Sequence, residues 1–325
     1  MRRLPLFLLV AAACGGTSKP TQTAPLPEDS KPVAAPTTDP KPVPPVAPEA
    51  KAPAPAPGPV EIKIPAQQTT VKVVSGGKGK KELVRYTMKP GAKQAIELAM
   101  DFTGKQDAEA QIVPTIVLVG DVATTAVDKD GNAEYTVTVT GTDARPVTGA
   151  KVTPDQFKLV LGTLAGLTIG GTLGATGVAG DVTLRIEKPH EHAAEALDLI
   201  RLTLPTLPVL PKEAVGVGAK WQATTIAKLA DQLEVTHVTD YELVTHKGTT
   251  WTIKGTTKVT GKDQDIAASK VSQITGSGTS ETTIADGVLY PTYRSSLETQ
   301  FKASEQDQAT VFTLKIGGAV TPKTP

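Results

Sequence analysis

The sequence predicts an α+β fold, an antiparallel sheet accompanied by two helices and preceded by a disordered Pro/Ala-rich tether. Three observations lead there. Apolar residues recur at every second position through much of the chain after Thr69, the spacing of strands that bury one face and wet the other. Two segments, Phe157–Leu164 and Glu191–Leu204, instead space their apolar residues for a helix. Finally, 14 of the 27 prolines fall between Thr17 and Val60, so that stretch has almost nothing to bury.

The chain opens with Arg2 and Arg3, and then the short apolar run LPLFLLVAAA. That run is too short to span a bilayer as a mature helix and is built like an export signal. The only cysteine, Cys14, follows directly and precedes Gly15 and Gly16. This arrangement resembles the signal of bacterial lipoproteins, whose lipobox ends in small residues and an acceptor cysteine. The family usually carries Leu three residues before that cysteine, and this chain has Ala11. The resemblance implies cleavage after residue 13, a diacylglyceryl group on the Cys14 thiol and acylation of the new amine. Gly15, in place of Asp, implies the outer membrane under that family's sorting rule. Ala11-Ala12-Ala13 also fits the pattern of ordinary signal peptidase, which would give a freely secreted protein starting at Cys14.

Residues 14–60 then form the lipidated cysteine and its linker. A Pro, Ala, Lys, Thr and Val composition favours extended, polyproline II-like chain. At roughly 3.1 Å per residue the stretch from Thr17 to Val60 reaches on the order of 130 Å, suited to holding a folded body away from a membrane. Lys+Arg 34 against Asp+Glu 33 is balanced, and removal of Arg2 and Arg3 leaves 32 against 33. Such a surface does not suit phosphate neutralisation, which excludes a nucleic-acid partner of the usual kind. Membrane residence therefore has to come from acyl chains, at about 0.8 kcal/mol per buried methylene.

Residues 61–320 read as a single antiparallel β-rich α+β domain. Ile96, Leu98, Met100 and Phe102 alternate with Glu97, Ala99 and Asp101, and Val137 and Val139 follow Tyr135 at the same parity. Asp130-Gly131, Lys247-Gly248 and Asp286-Gly287 stand where hairpin turns are needed. Pro154-Asp155-Gln156 opens the first helix, with Phe157, Val160, Leu161 and Leu164 on its apolar face. The second carries Ala194, Leu197, Ile200 and Leu204 on one stripe. Between them, LTIGGTLGATGVAGDVTLRIE reads as two Gly-loosened strands, and LPTLPVLPKEAVGVGAKW reads as a Pro-punctuated crossing outside any central strand. A meander of about five strands closes the chain, near 232–245, 249–260, 271–285, 289–302 and 309–316. The Asp130-Gly131 hairpin, the crossing from Leu210-Pro211 to Trp221 and this meander together resemble a group of uncharacterised envelope lipoproteins. Some proteins of that layout are half-barrels, and a few carry lipids or lipoproteins. The resemblance implies a strongly curved, half-barrel-like sheet with helices in its hollow.

Several stretches invite a chemical reading. Asp128, Asp130 and Asn132 offer the first oxygens of a calcium loop, but Ala133 stands at its obligatory glycine and Val139 at its bidentate carboxylate. A polar hairpin tip fits better. His190-Glu191-His192 pairs two imidazoles without a third ligand nearby, and directly after Pro189 it also fits an exposed helix start. Gly170, Gly171, Gly174, Gly177 and Gly180 lack the Lys-Ser/Thr of a phosphate loop, and the basic stretch SGGKGKKE precedes a strand rather than a helix. Trp221 and Trp251 are candidate sugar platforms or core anchors, the latter agreeing with their apolar neighbours. No G-x-S-x-G elbow or S-x-x-K set is present.

No catalytic residue, cofactor or metal ligand is therefore assigned, and the one predicted site is lipid attachment at Cys14. The expectation is a lipid-anchored cell-envelope protein with a non-catalytic structural or interaction role. The alternative is a carrier that holds an amphiphile between sheet and helices. An enzyme would require His190, His192, His237 or His246 to converge on carboxylates in space.

Overall fold

The computed structural model describes residues 58–323, apart from 191–192, 205, 230–231, 268, 287, 289 and 306–307. The signal (1–13), Cys14 and the tether up to residue 57 lie outside the described residues.

The body is mostly antiparallel strand with two helices. Its strands in chain order are β1 (Val60–Ile64), β2 (Gln68–Ser75), β3 (Lys78–Glu82), β4 (Lys93–Gln106), β5 (Glu109–Ile112), β6 (Thr115–Val127) and β7 (Ala133–Arg145). Helix α1 (Pro154–Leu161) and a 3-10 turn (Gly162–Leu164) lead to β8 (Thr168–Leu173) and β9 (Ala179–Ile186). After α2 (Ala193–Thr203) come β10 (Val215–Val217), β11 (Lys220–Leu229), β12 (Leu233–Lys247), β13 (Thr250–Thr260) and β14 (Gln264–Ile266). The chain finishes with β15 (Ser269–Ala285), β16 (Thr292–Glu305) and β17 (Gln308–Pro322).

One sheet of 15 strands runs β1-β9-β8-β7-β6-β4-β17-β16-β15-β13-β12-β11-β2, with β5 added to β4 and β14 to β15. The strongly curved half-barrel expected above is corrected to an open sheet. No ladder joins β1 to β2, although only Pro65, Ala66 and Gln67 separate them in the chain. Two local features stop these strands from doubling back as a hairpin. Pro65 has no N–H to donate, and the Ala66 N–H is taken by the Asp181 carboxylate of β9 at 2.7 Å.

Period-two patterning fixes which face packs. Ile96, Leu98, Met100 and Phe102 are all buried along β4, and Phe312 and Leu314 join them from neighbouring β17. Helix α1 begins with a capping box in which Thr153 and Gln156 satisfy each other's backbone, and Pro154 occupies the first turn. It buries Phe157 and Leu161 and lies on β7. Helix α2 buries Leu197 and Ile200 completely and packs on β1, β9, β4 and β17. The Thr203 hydroxyl donates back to the Leu199 carbonyl at 3.0 Å, with Met100 Sδ of β4 3.2 Å away.

The crossing after α2 forms no strand until β10, as its prolines require. Within the basic stretch SGGKGKKE, Lys78–Glu82 is itself strand β3 and pairs with β10 in a separate two-stranded sheet. Gly77 at φ 72° and Gly216, whose added Cβ would lie 2.2 Å from the Lys78 carbonyl, allow that contact. Arg85 then ties the segment to the crossing, donating to the carbonyls of Val84 (2.7 Å), Pro211 (2.8 Å) and Lys212 (2.7 Å).

Candidate functional site

The local chemistry of the predicted stretches is mostly self-contained. One Asp128 oxygen accepts from the N–H groups of Asp130 and Asn132, each at 2.9 Å, and the other from the Asn132 amide at 2.8 Å. Those bonds hold the Asp128 carboxyl below its ordinary range and use its lone pairs inside the β6–β7 turn, which is a hairpin tip. Glu191 and His192 lie outside the described residues. His190 precedes α2, and its carbonyl accepts from Ala193 N at 3.1 Å. Among the described residues, no three His, Cys, Asp or Glu side chains group closely enough to hold a metal.

Both tryptophans are core anchors. Trp221 is buried, donates to the Val209 carbonyl at 2.8 Å and stacks on Tyr241 at 5.6 Å. Trp251 is buried beneath His246, with ring centroids 4.8 Å apart. His246 Nε2 lies 2.9 Å from the Gly248 carbonyl and 3.5 Å from a Glu82 oxygen. His237, on the inward parity of β12 between Val235 and Thr239, has a buried Nε2 without a hydrogen-bond partner. Burial pushes its imidazole below the ordinary histidine range. Among the described residues, His246 meets the Glu82 carboxylate, and no group of three or more His, Cys, Asp or Glu forms around a histidine.

What the fold does assemble is a cavity of about 190 Å³ between the sheet, the end of α2 and the crossing. Its floor is aliphatic, from Ile96 and Leu98 of β4, Val122 of β6, Val137 of β7 and Ile169 of β8. Leu204, Leu207 and Val209 close it from the crossing. The polar groups are few. Thr69 of β2 and Thr225 of β11 bond to each other at 2.9 Å, and Arg201 of α2 pairs with Asp198 one turn back at 3.0 Å. Tyr135 of β7, Tyr290, just before β16, Gln67 and Thr206 add the other polar side chains of the lining. The Tyr290 backbone is fixed by Gln94 of β4, whose amide donates to its carbonyl at 3.2 Å and accepts from its N–H at 2.9 Å.

The glycine-dense stretch builds one wall. Gly177 sits at φ 84°, and a Cβ there would lie 2.4 Å from the Pro208 carbonyl and 2.6 Å from the Tyr86 ring. Close approach of the β8–β9 turn to the crossing therefore requires glycine. Burial raises the hydroxyl pKa of every tyrosine in the chain, Tyr86, Tyr135, Tyr241, Tyr290 and Tyr293. The sequence reading missed Tyr290 and Arg201 altogether and took Tyr135 as one more core position. Only the inward parity of Tyr135 hinted at its place.

Compared with models of known protein families and with curated proteins, the chain matches none.

Proposed function

We propose that this chain is a lipid-anchored envelope protein that acts without catalysis and shelters the apolar part of a small amphiphile. The observation that carries the reading is the aliphatic cavity between sheet and α2, rimmed by a handful of polar groups. Binding sites of this kind pair an apolar lining with a few fixed polar side chains. About 190 Å³ exceeds the 150 Å³ or so of an engineered apolar cavity that takes up benzene. It falls short of the roughly 300–1,000 Å³ of a pocket that encloses a whole ligand. The occupant is therefore a chain segment whose head stays at the opening.

In this reading Cys14 carries the acyl anchor and residues 14–60 act as a spacer between membrane and body. The near-neutral charge of the mature chain leaves attachment to the lipid alone. Outer-membrane residence rests on Gly15 after the cysteine. The small size of the cavity also favours a second reading, a structural or interaction module whose core is simply imperfectly filled.

Native mass spectrometry of the protein extracted in mild detergent separates these readings. An amphiphile that stays bound and leaves on substitution of Val122→Trp supports shelter. A clean apo mass, whatever the membrane source, favours the module. Intact mass of the denatured chain tests the anchor independently, through a lipid-sized increment on Cys14.

A further inference from the structure

We propose that the cavity selects an uncharged amphiphile, whose ester, amide or alcohol head is hydrogen-bonded by the phenol hydroxyls of Tyr135 and Tyr290. This rests on the cavity being a ligand site and specifies which chemistry it accepts.

The five tyrosines divide into two groups. Tyr86 donates to the Pro208 carbonyl at 2.9 Å. Tyr241 stacks on Trp221 and Tyr293 is buried in the core, both apart from the cavity lining. Tyr135 and Tyr290 both line the cavity, and Gln94 holds the Tyr290 backbone in place there. Tyr135 and Tyr290 are thus the two phenols beside a space bounded mainly by aliphatic carbon. A head group in the cavity that accepts from these hydroxyls gains hydrogen bonds that an aliphatic lining cannot supply.

Charge narrows the choice of head. Arg201 is the one charged side chain among the described cavity residues, and Asp198 already balances it at 3.0 Å. An anionic head would have to displace Asp198 or sit beside it. A cationic head would face Arg201. An uncharged polar head meets neither penalty and uses both phenols.

The test is calorimetric titration of the full chain carrying Cys14→Ser, so that no acyl group of its own competes, against three probes. These are monooctanoylglycerol, octanoate and p-xylene, which offer an uncharged head, an anionic head and no head. The glycerol ester should bind at least about tenfold more tightly than octanoate. Tyr135→Phe and Tyr290→Phe should each weaken it roughly fivefold, the range expected for one net hydrogen bond, while p-xylene binds all three proteins alike. If p-xylene binds but octanoate matches the ester, or the phenylalanine variants bind it unchanged, the head-group assignment is overturned and the ligand site stands. If neither p-xylene nor the ester binds the parent protein, the ligand site itself falls.

Discussion

Gly177→Ala offers a controlled measurement of how tightly the cavity wall is built. Two costs act at this position. At φ 84° any alanine is strained, by about 1–2 kcal/mol for a left-handed residue. The new methyl would also lie 2.4 Å from the Pro208 carbonyl and 2.6 Å from the Tyr86 ring. Neither neighbour gives way easily, because Tyr86 and Pro208 are themselves joined by a 2.9 Å hydrogen bond. Overpacking of this kind adds about 1–3 kcal/mol, so the whole loss should be about 2–5 kcal/mol. Gly91 provides the reference: its φ is 75°, and an added Cβ meets nothing within 4 Å. Gly91→Ala should therefore cost only the backbone strain, about 1–2 kcal/mol. Urea denaturation followed by the fluorescence of buried Trp221 and Trp251 reads both variants. Equal losses within about 0.5 kcal/mol would refute the claim that steric contact with the crossing, rather than backbone conformation, makes residue 177 glycine.

Three further outcomes follow from the same geometry. His237 has its folded pKa lowered by burial, so below about pH 6.5 the unfolded chain takes up a proton that the folded one refuses. Stability should fall with pH through that window, and His237→Gln should flatten the slope in denaturation curves collected between pH 7.5 and 5. The tyrosines behave oppositely: all five have raised pKa values, so above about pH 10 the unfolded state loses protons that the folded state keeps and stability drops. Phenolate absorbance at alkaline pH should rise in one step coincident with unfolding; stepwise ionisation of the native protein would contradict their burial. Arg85→Ala removes bonds to three carbonyls. It should cost about 2–4 kcal/mol, since each hydrogen bond to a charged group is worth roughly 1.5–3 kcal/mol and the side chain is partly solvated. Limited proteolysis should then cut first near Pro211.

The parts of the fold legible in the sequence are those fixed by neighbours in the chain. The alternation from Ile96 to Phe102 predicts the buried face of β4 because side chains on a strand alternate whatever their partner. Pro154 and the Gln156 that closes the capping box mark α1 just as locally. The β12, β13, β15, β16 and β17 meander was readable because each strand pairs with the next through a short connection. The pairing of Val60 with Ile186 was not, since five apolar-polar residues fit many partners and the choice is made by α2 packing on both strands. Strand β3 was hidden for a related reason: KGKKE has no strand character of its own and becomes one because β10 presents free backbone beside it. The cavity is the least legible feature. A tyrosine at an inward position looks the same in sequence whether its hydroxyl meets a carbonyl, as in Tyr86, or the residue lines a cavity, as Tyr135 does.

The two edge strands of the open sheet, β1 and β2, follow each other directly in the chain. Ile64 and Gln68 terminate opposite margins of the sheet, yet three residues can hold them no more than about 14 Å apart. That short link tethers the two margins of the open sheet to each other, and the bond from Ala66 N to Asp181 pins it to β9.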